Sequence, residues 1–446
     1  MRTRARIAGL LAAALPVALV AAGCGTSGTA GPAAPALDMA RGAAAHEPAA
    51  DPRPYGAADT AFGLDVLGAW CRADPSANLV LSPASLASGL GMAYLGAQGG
   101  TAQATARVLH LPATSRSELL AGLRARSAAL RTLSGPGVTL SASDQVWADP
   151  GLPLRAGYLN AVATGYGAGV AQVPLLSNPG RAAQQLNQAV AAATRGHIPH
   201  LLPPGSLNGI GWVLTDALYL NAAWATPFDA TGTRAGPFTT AAGQQVSASF
   251  MKGSGYRMTT AGGWTAVSLP YRGGTLAMVA LLPAPGAGNC ATPTAGTLTA
   301  MTVALGAGGT AGPVTGAASP GAGGATGPGT QPGRAMIALP KVNLSTHTSM
   351  KGLLTVLGMG IAFTPDADFG AMSGQACCIG LVEHAATLQV GEKGTVASAA
   401  TAVGIAPTAG IAGPVIEFNR PYLLLVTDVA TGDAVFAARV ADPAAP

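Results

Sequence analysis

The chain has 446 residues, of which 24 are Lys or Arg and 19 Asp or Glu, with 62 glycines, 34 prolines and five cysteines. Three of those basic residues and no acid lie in the first 23, so the remainder carries only +2, too little for a basic nucleic-acid-binding face. Five cysteines without a C-x-x-C exclude a zinc-ribbon or thioredoxin-type site.

The first element is a sorting segment. Arg2, Arg4 and Arg6 precede an apolar run from Ile7 to Ala22 and then Ala21-Ala-Gly-Cys24. This pattern reads either as a lipoprotein signal, with cleavage at 1–23 leaving Cys24 for a lipid, or as an ordinary secretory signal cut nearby. The run is short for a membrane span of ~20 residues. Both readings place the mature chain outside the cytoplasm, as a cell-membrane lipoprotein or a secreted protein. Residues 24–54, mostly Ala, Gly, Pro, Ser and Thr, read as a flexible tether, since they offer little apolar surface to bury.

From Tyr55 to Asp442 (residues 55–442) apolar periodicity is nearly continuous. Thr60–Arg72 has helical spacing. Asn78–Leu81 is strand-like, and Ser82-Pro83 opens a helix, because a serine N-cap followed by proline at N1 is a favoured start. A further helix begins at Thr101. Val138–Asp149 reads as one strand, Arg181–Thr194 as an amphipathic helix, and Trp212–Asn221 as a strand buried on both faces. Two strands flank the turn Tyr271-Arg-Gly-Gly274. Residues 285–333 are a low-complexity insertion of Gly, Ala, Thr and Pro, with Ala295–Ala307 at most a short helix. Met336–Leu344, Leu388–Gly391, Ile416–Thr427 and Ala434–Val440 complete the strands. Helices early and strands late, without regular alternation, indicate an α+β fold.

Chemistry is sparse. The Ser249-Phe-Met-Lys252 sequence runs into Gly253-Ser-Gly255 and so cannot open a helix. Gly-x-Ser-x-Gly and His-Glu-x-x-His are absent from the sequence. Catalysis is therefore not expected, nor is a cofactor or metal; His197 and His200 read as a polar turn. Adjacent Cys377 and Cys378 read as free or unrelated thiols, and the states of Cys71 and Cys290 stay open.

The most informative segment is Glu392-Lys-Gly394-Thr395-Val-Ala397-Ser398-Ala399-Ala400-Thr401, a charged turn followed by small uncharged side chains. Such residues can project into solvent or slide between two strands without overpacking. The segment resembles the hinge of a serpin reactive-centre loop. Other stretches resemble serpin motifs in the same order: Ser82-Pro-x-Ser85, Ala217-Leu-Tyr-Leu-Asn-Ala-Ala-Trp224, Leu339-Pro-Lys341, His384-Ala, Asn419-Arg-Pro-Tyr422 and Phe436-Ala-Ala-Arg-Val440. Departures are Asp216, where the family usually has Asn, Val396, where an acid is common, and the insertion before Leu339.

The resemblance implies a serpin fold, with helices around a large central mixed β-sheet, smaller sheets and an exposed reactive loop. It implies suicide inhibition of a protease by loop cleavage and insertion into the central sheet, by a monomer bound to no nucleic acid and touching the membrane only through a lipid. Counting forward from Glu392 by the family's loop length places the scissile bond at Thr408–Ala409; counting back from Phe418 places it at Gly410–Ile411. Both counts expose small uncharged residues, which suit an elastase-like or subtilisin-like serine protease, or a cysteine protease. The resemblance further assigns Ser82, Ser85, Asp216, Trp224 and His384 to the region that controls sheet opening.

Overall fold

A computed structural model describes residues 35–306, 333–395 and 413–445. In chain order the first elements are β1 (Asp38–Ala40), α1 (Arg53–Ala73), β2 (Leu79–Leu81), α2 (Pro83–Tyr94), α3 (Gly99–Val108), α4 (Arg116–Arg131), β3 (Val138–Ala142), β4 (Gln145–Ala148) and α5 (Ala156–Tyr166). Then come β5 (Val170–Gln172), α6 (Pro179–Ala193), β6 (Trp212–Ala223), β7 (Arg234–Thr239), β8 (Gln245–Ala261), β9 (Trp264–Pro270) and β10 (Leu276–Pro283). The last are α7 (Ala295–Ala304), β11 (Gly333–Pro340), β12 (Val342–Ser349), α8 (Lys351–Leu354), β13 (Val382–Gly391), β14 (Gly394–Thr395), β15 (Val415–Glu417), β16 (Tyr422–Asp428) and β17 (Ala434–Val440).

The strands form two sheets. The first runs β1-β5-β4-β6-β14-β13-β12, with β3 also on β6; the second runs β15-β11-β8-β9-β10-β16-β17-β2, with β7 on β8. At the centre of the first sheet β6 and β13 are parallel neighbours, from Leu214 opposite Val382 to Tyr219 opposite Thr387. Helices cover both faces of this sheet. From α6, Leu186 packs with Trp147, Ala171 and Val213, and Val190 with Ala217 and Ala385. From α2, Leu86 and Leu90 lie in a core that includes Val146, Leu214 and Val382. Strand period 2 thus sends Val213 and Ala217 toward α6 and Leu214 and Asp216 toward α2.

Several sequence expectations change. The proposed tether is not free along its whole length: Asp38–Ala40 pairs antiparallel with Val170–Gln172 at the sheet edge. Ala43 N and Ala45 N then donate to Asn160 Oδ1 at 2.8 Å and Thr164 Oγ1 at 2.9 Å. Small side chains bury little here, but an open sheet edge satisfies the backbone itself. Helix α1 begins at Arg53, ahead of the expected Thr60, with Pro54 in its first turn. Val138–Asp149 is two strands, broken at Ser143-Asp144. Met336–Leu344 is also two, because the chain changes sheets at Lys341, after Pro340. Helices α4 and α5, the long β8 and short β5 and β7 add to the elements that the sequence pattern predicts. For α4 the signal was legible in the capping box of Ser115 and Glu118.

Cys71 and Cys290 form a disulfide across 219 residues, joining the end of α1 to the loop before α7. Closing so long a loop strongly restricts the unfolded chain, so Cys71→Ser with Cys290→Ser is expected to cost on the order of 4 kcal/mol. Guanidinium denaturation of the oxidised and doubly substituted proteins checks this; overlapping curves would show that the bridge contributes nothing. Cys377 and Cys378 are free, with sulfurs 2.9 Å apart.

Candidate functional site: the hinge and the opening of the central sheet

Above Thr387 and Tyr219 the two central strands part, and the chain itself fills the gap. After Gly391 it turns through Glu392 and Lys393 and re-enters the sheet as β14. Gly394 and Thr395 pair antiparallel with Ala223 and Ala222 of β6 on one side, and with Gly391 and Val390 of β13 on the other. Only glycine fits at 394. Its φ is +148°, and an added Cβ would stand 2.2 Å from Ala222 O.

Each described hinge residue has a specific partner. Thr395 is fully buried, its Oγ1 2.6 Å from Tyr271 Oη. Trp224 stacks on Tyr271 at 4.5 Å and donates from Nε1 to Gly391 O at 2.8 Å. Backbone amides of Trp224 and Phe228 donate to Lys393 O at 3.0 Å and Glu392 O at 2.8 Å. Glu392 meets Lys341 Nζ at 3.0 Å and accepts from Thr233 Oγ1 at 3.0 Å. Burial alone would raise the Glu392 carboxyl, but hydrogen bonds from its own backbone, Lys341 and Thr233 hold it below its ordinary value.

Below the gap, where β6 and β13 pair directly, lies a second cluster. The register places His384 opposite Asp216, and Nδ1 of the imidazole meets Oδ1 of the carboxylate. Both residues are buried, and among the described residues neither Asp216 Oδ2 nor His384 Nε2 has a partner. Ser82 both caps and tethers α2, accepting from Ser85 N at 3.1 Å and donating to Val435 O at 2.9 Å. Ser85 Oγ donates to Asp144 Oδ1. A cavity of about 260 Å³ opens here, lined by Ser82, Ser85, Asp144, Leu140, Tyr166 and Leu218 among others.

Asp144 is the residue that sequence reading missed. It sits in the break between β3 and β4, where Ser143 N still donates to Ala217 O at 2.8 Å. A lone carboxylate inside an otherwise apolar and small strand run was the available signal. Burial first, and then the nearby Asp216 charge, push its carboxyl well above the usual range, against the downward pull of Ser85. A raised folded value means that the stability Asp144 contributes is complete below about pH 3.8, its ordinary value, and is lost as pH rises through the folded value. Asp144→Asn is therefore expected to stabilise the protein near neutral pH by roughly 1 kcal/mol, the usual size of one stabilising substitution, and to flatten the pH profile. Urea midpoints of both forms from acidic to neutral pH test this, and parallel profiles would refute it.

The structure thus brings Glu392, Gly394, Thr395 and Trp224 together at the upper gap, and Ser82, Ser85, Asp216 and His384 beneath it. Cys24, the hinge residues Ala397, Ser398, Ala399, Ala400 and Thr401, and both scissile-bond candidates, Thr408–Ala409 and Gly410–Ile411, lie outside the described residues. His197, read as part of a polar turn, stacks on Tyr219 with ring centroids 4.1 Å apart. Ser249 and Lys252 lie within strand β8, so no helix follows them.

These contacts define a mixed sheet whose central parallel strands part around a short segment of the same chain. The Serpin (serine protease inhibitor) family model matches residues 57–304 and 326–443. The chain belongs to the serpin family, whose members are generally protease inhibitors rather than catalysts. It is 30% identical over 403 residues to putative serpin-Z8 of Oryza sativa subsp. japonica, covering 85% of this chain and 93% of that one. It is 28% identical over 374 residues to an uncharacterized serpin-like protein of Thermococcus kodakarensis, covering 82% and 81%. Among solved structures, the thermophilic serpin tengpin in its native state matches with a TM-score of 0.74 at 21% identity, over 90% of this chain and 97% of that one. Thyroxine-binding globulin in complex with thyroxine matches at 0.70 and 21%, over 87% and 99%.

Proposed function

We propose that this serpin is an extracytoplasmic suicide inhibitor of serine proteases that prefer small side chains, of elastase-like or subtilisin-like type. The observation that carries the reading is β14: two hinge residues already hydrogen-bonded between β6 and β13, at the point where those strands part. In this mechanism the protease's nucleophile attacks a loop carbonyl, the peptide bond breaks, and the acyl-enzyme keeps the N-terminal side of the loop. That side then zips downward from Thr395, separating β6 from β13. About a dozen new ladder hydrogen bonds at ~1 kcal/mol each supply on the order of 10 kcal/mol to drag and distort the protease. The residues that follow Thr395 are small or β-branched, without proline through Thr401, so each fits between strands. From Val396 to Asn419 there is no Arg or Lys, which disfavours trypsin-like targets. Export is supported by the n-terminal basic and apolar segments and by the Cys71–Cys290 disulfide, which persists in oxidising compartments.

The test is incubation with a pancreatic-type elastase and with a subtilisin. A complex that survives SDS, plus mass spectrometry of the released C-terminal fragment, supports the reading and separates Thr408–Ala409 from Gly410–Ile411. Cleavage without a complex, and without a gain in thermal stability, would instead favour a binding protein that only shares the fold, as thyroxine-binding globulin shares it with this chain.

A further inference from the structure

The loop that delivers the chain to β13 carries two thiols side by side. Cys377 is exposed, Cys378 is half-buried, and their sulfurs stand 2.9 Å apart. At that separation one thiol donates to the other; a covalent bond would bring the sulfurs to about 2.05 Å. The chain is pinned on either side of the pair. Before it, Gln375 N donates to Ser373 Oγ and Ala376 N to Ser373 O, both at 3.2 Å. After it, Ile379 N donates to Ala362 O at 2.9 Å, and the Ile379 side chain is buried in the core. The polar turn and the core anchor thus hold the two thiols in place against each other.

Among the described residues no third cysteine is free, because Cys71 and Cys290 are bonded to each other. Such a bridge persists in oxidising surroundings, and the same surroundings act on an accessible pair of thiols. Lys351 favours the Cys378 thiolate, but burial first, and then Cys377, push that thiol up to about 11. Cys377, the exposed sulfur, is therefore the one an oxidant meets first. The peptide between the two residues is trans, which sets neighbouring Cα atoms about 3.8 Å apart, below the roughly 4.4 Å at which ordinary disulfides begin. A bond between neighbours is for that reason easily reduced, the property of a reversible site rather than of a structural bridge.

We propose that Cys377 and Cys378 form a reversible two-electron redox site, a vicinal dithiol that small-molecule disulfides close to an eight-membered ring just before β13. The Cys377 thiolate attacks one sulfur of the external disulfide, whose S–S bond breaks and releases a first thiolate. Cys378 then gives up its proton, attacks Cys377 Sγ and expels the second thiolate. Two protein thiols are oxidised to one disulfide, the external disulfide is reduced to two thiols, and the two protons pass from the protein to the departing sulfurs.

The experiment equilibrates the full mature chain in glutathione buffers of rising oxidised share, quenches with acid, alkylates the remaining thiols and weighs the peptides. The peptide bearing Cys377 and Cys378 is expected to pass from two alkyl groups to none, with the loss of two hydrogens, while Cys71–Cys290 stays bridged throughout. Cys378→Ser should stop at the mixed disulfide. Its glutathione adduct on Cys377 should outlive that of wild type by at least about tenfold, because no neighbouring thiol is held ready to displace it. Cys377→Ser should react more slowly than Cys378→Ser, since its remaining thiol is half-buried. Two glutathiones on the wild-type peptide, dimers linked through it, or thiols that stay alkylatable at every ratio would overturn the site. So would a Cys377–Cys378 bridge that survives conditions opening Cys71–Cys290. None of these outcomes bears on protease trapping.

Discussion

Thr395→Arg is expected to convert this protein from an inhibitor into a substrate. Thr395 carries the first side chain of the loop to enter the sheet, and it is already fully buried, with its hydroxyl against Tyr271. An arginine there would have to be buried between β6 and β13 without a carboxylate partner, or stay out and hold the hinge outside the sheet. The second course costs the folded protein little beyond one hydrogen bond and the contacts of a small side chain. It removes the starting register for every later residue. Insertion then loses its race with hydrolysis of the acyl-enzyme. The number of inhibitor molecules consumed per protease trapped should rise at least about tenfold, which a barrier change of only ~1.4 kcal/mol achieves. Cleavage should occur at the unchanged bond. Because Thr395 is seated in the resting state, the variant should also show a small drop in melting temperature, a cost that an exposed hinge would not have incurred. If complexes form with wild-type stoichiometry, zipping from Thr395 is not how the loop enters.

The second large effect is expected at Asp216 and His384. This pair joins β6 to β13 within the stretch where they are direct parallel neighbours, the seam that the proposed insertion would have to open. His384→Ala would leave a carboxylate buried without its partner and is expected to destabilise the protein by about 3–5 kcal/mol. Asp216→Asn should behave differently. The amide oxygen still accepts from the imidazole, and a neutral group costs less than a carboxylate to leave half satisfied, as Asp216 Oδ2 now is. That variant should therefore fall within about 1 kcal/mol of wild type, on either side. Urea denaturation gives the stabilities. Native gels after mild heating report whether the weakened seam admits a loop from a second molecule. An Asp216→Asn variant as unstable as His384→Ala would mean that the charge itself, rather than the hydrogen bond, holds the seam.

The legible parts of this protein were those whose information is local. Ser82-Pro83 opening α2, the apolar run of β6, the turn at Gly273-Gly274 and the row of small residues after Gly394 each follow from the covalent chemistry of a few neighbours. Their order was enough to imply the family and the α+β fold. The same local reading went wrong where a strand's partner decides its fate. Met336–Leu344 was one apolar run, but Lys341 hands the chain from one sheet to the other, and no periodicity marks a change of partner. Val138–Asp149 was likewise one run; its register on β6 carries straight across Ser143-Asp144, and only the packing of α2 against this point brings Ser85 to Asp144. The segment around Asp38–Ala40 looked unable to order because its side chains bury little, yet it pairs through its backbone, which composition does not report. The disulfide and the seated Thr395 were decided only in three dimensions. Each depends on groups far apart in sequence meeting at contact distance, and residue type and spacing along a chain do not encode that separation.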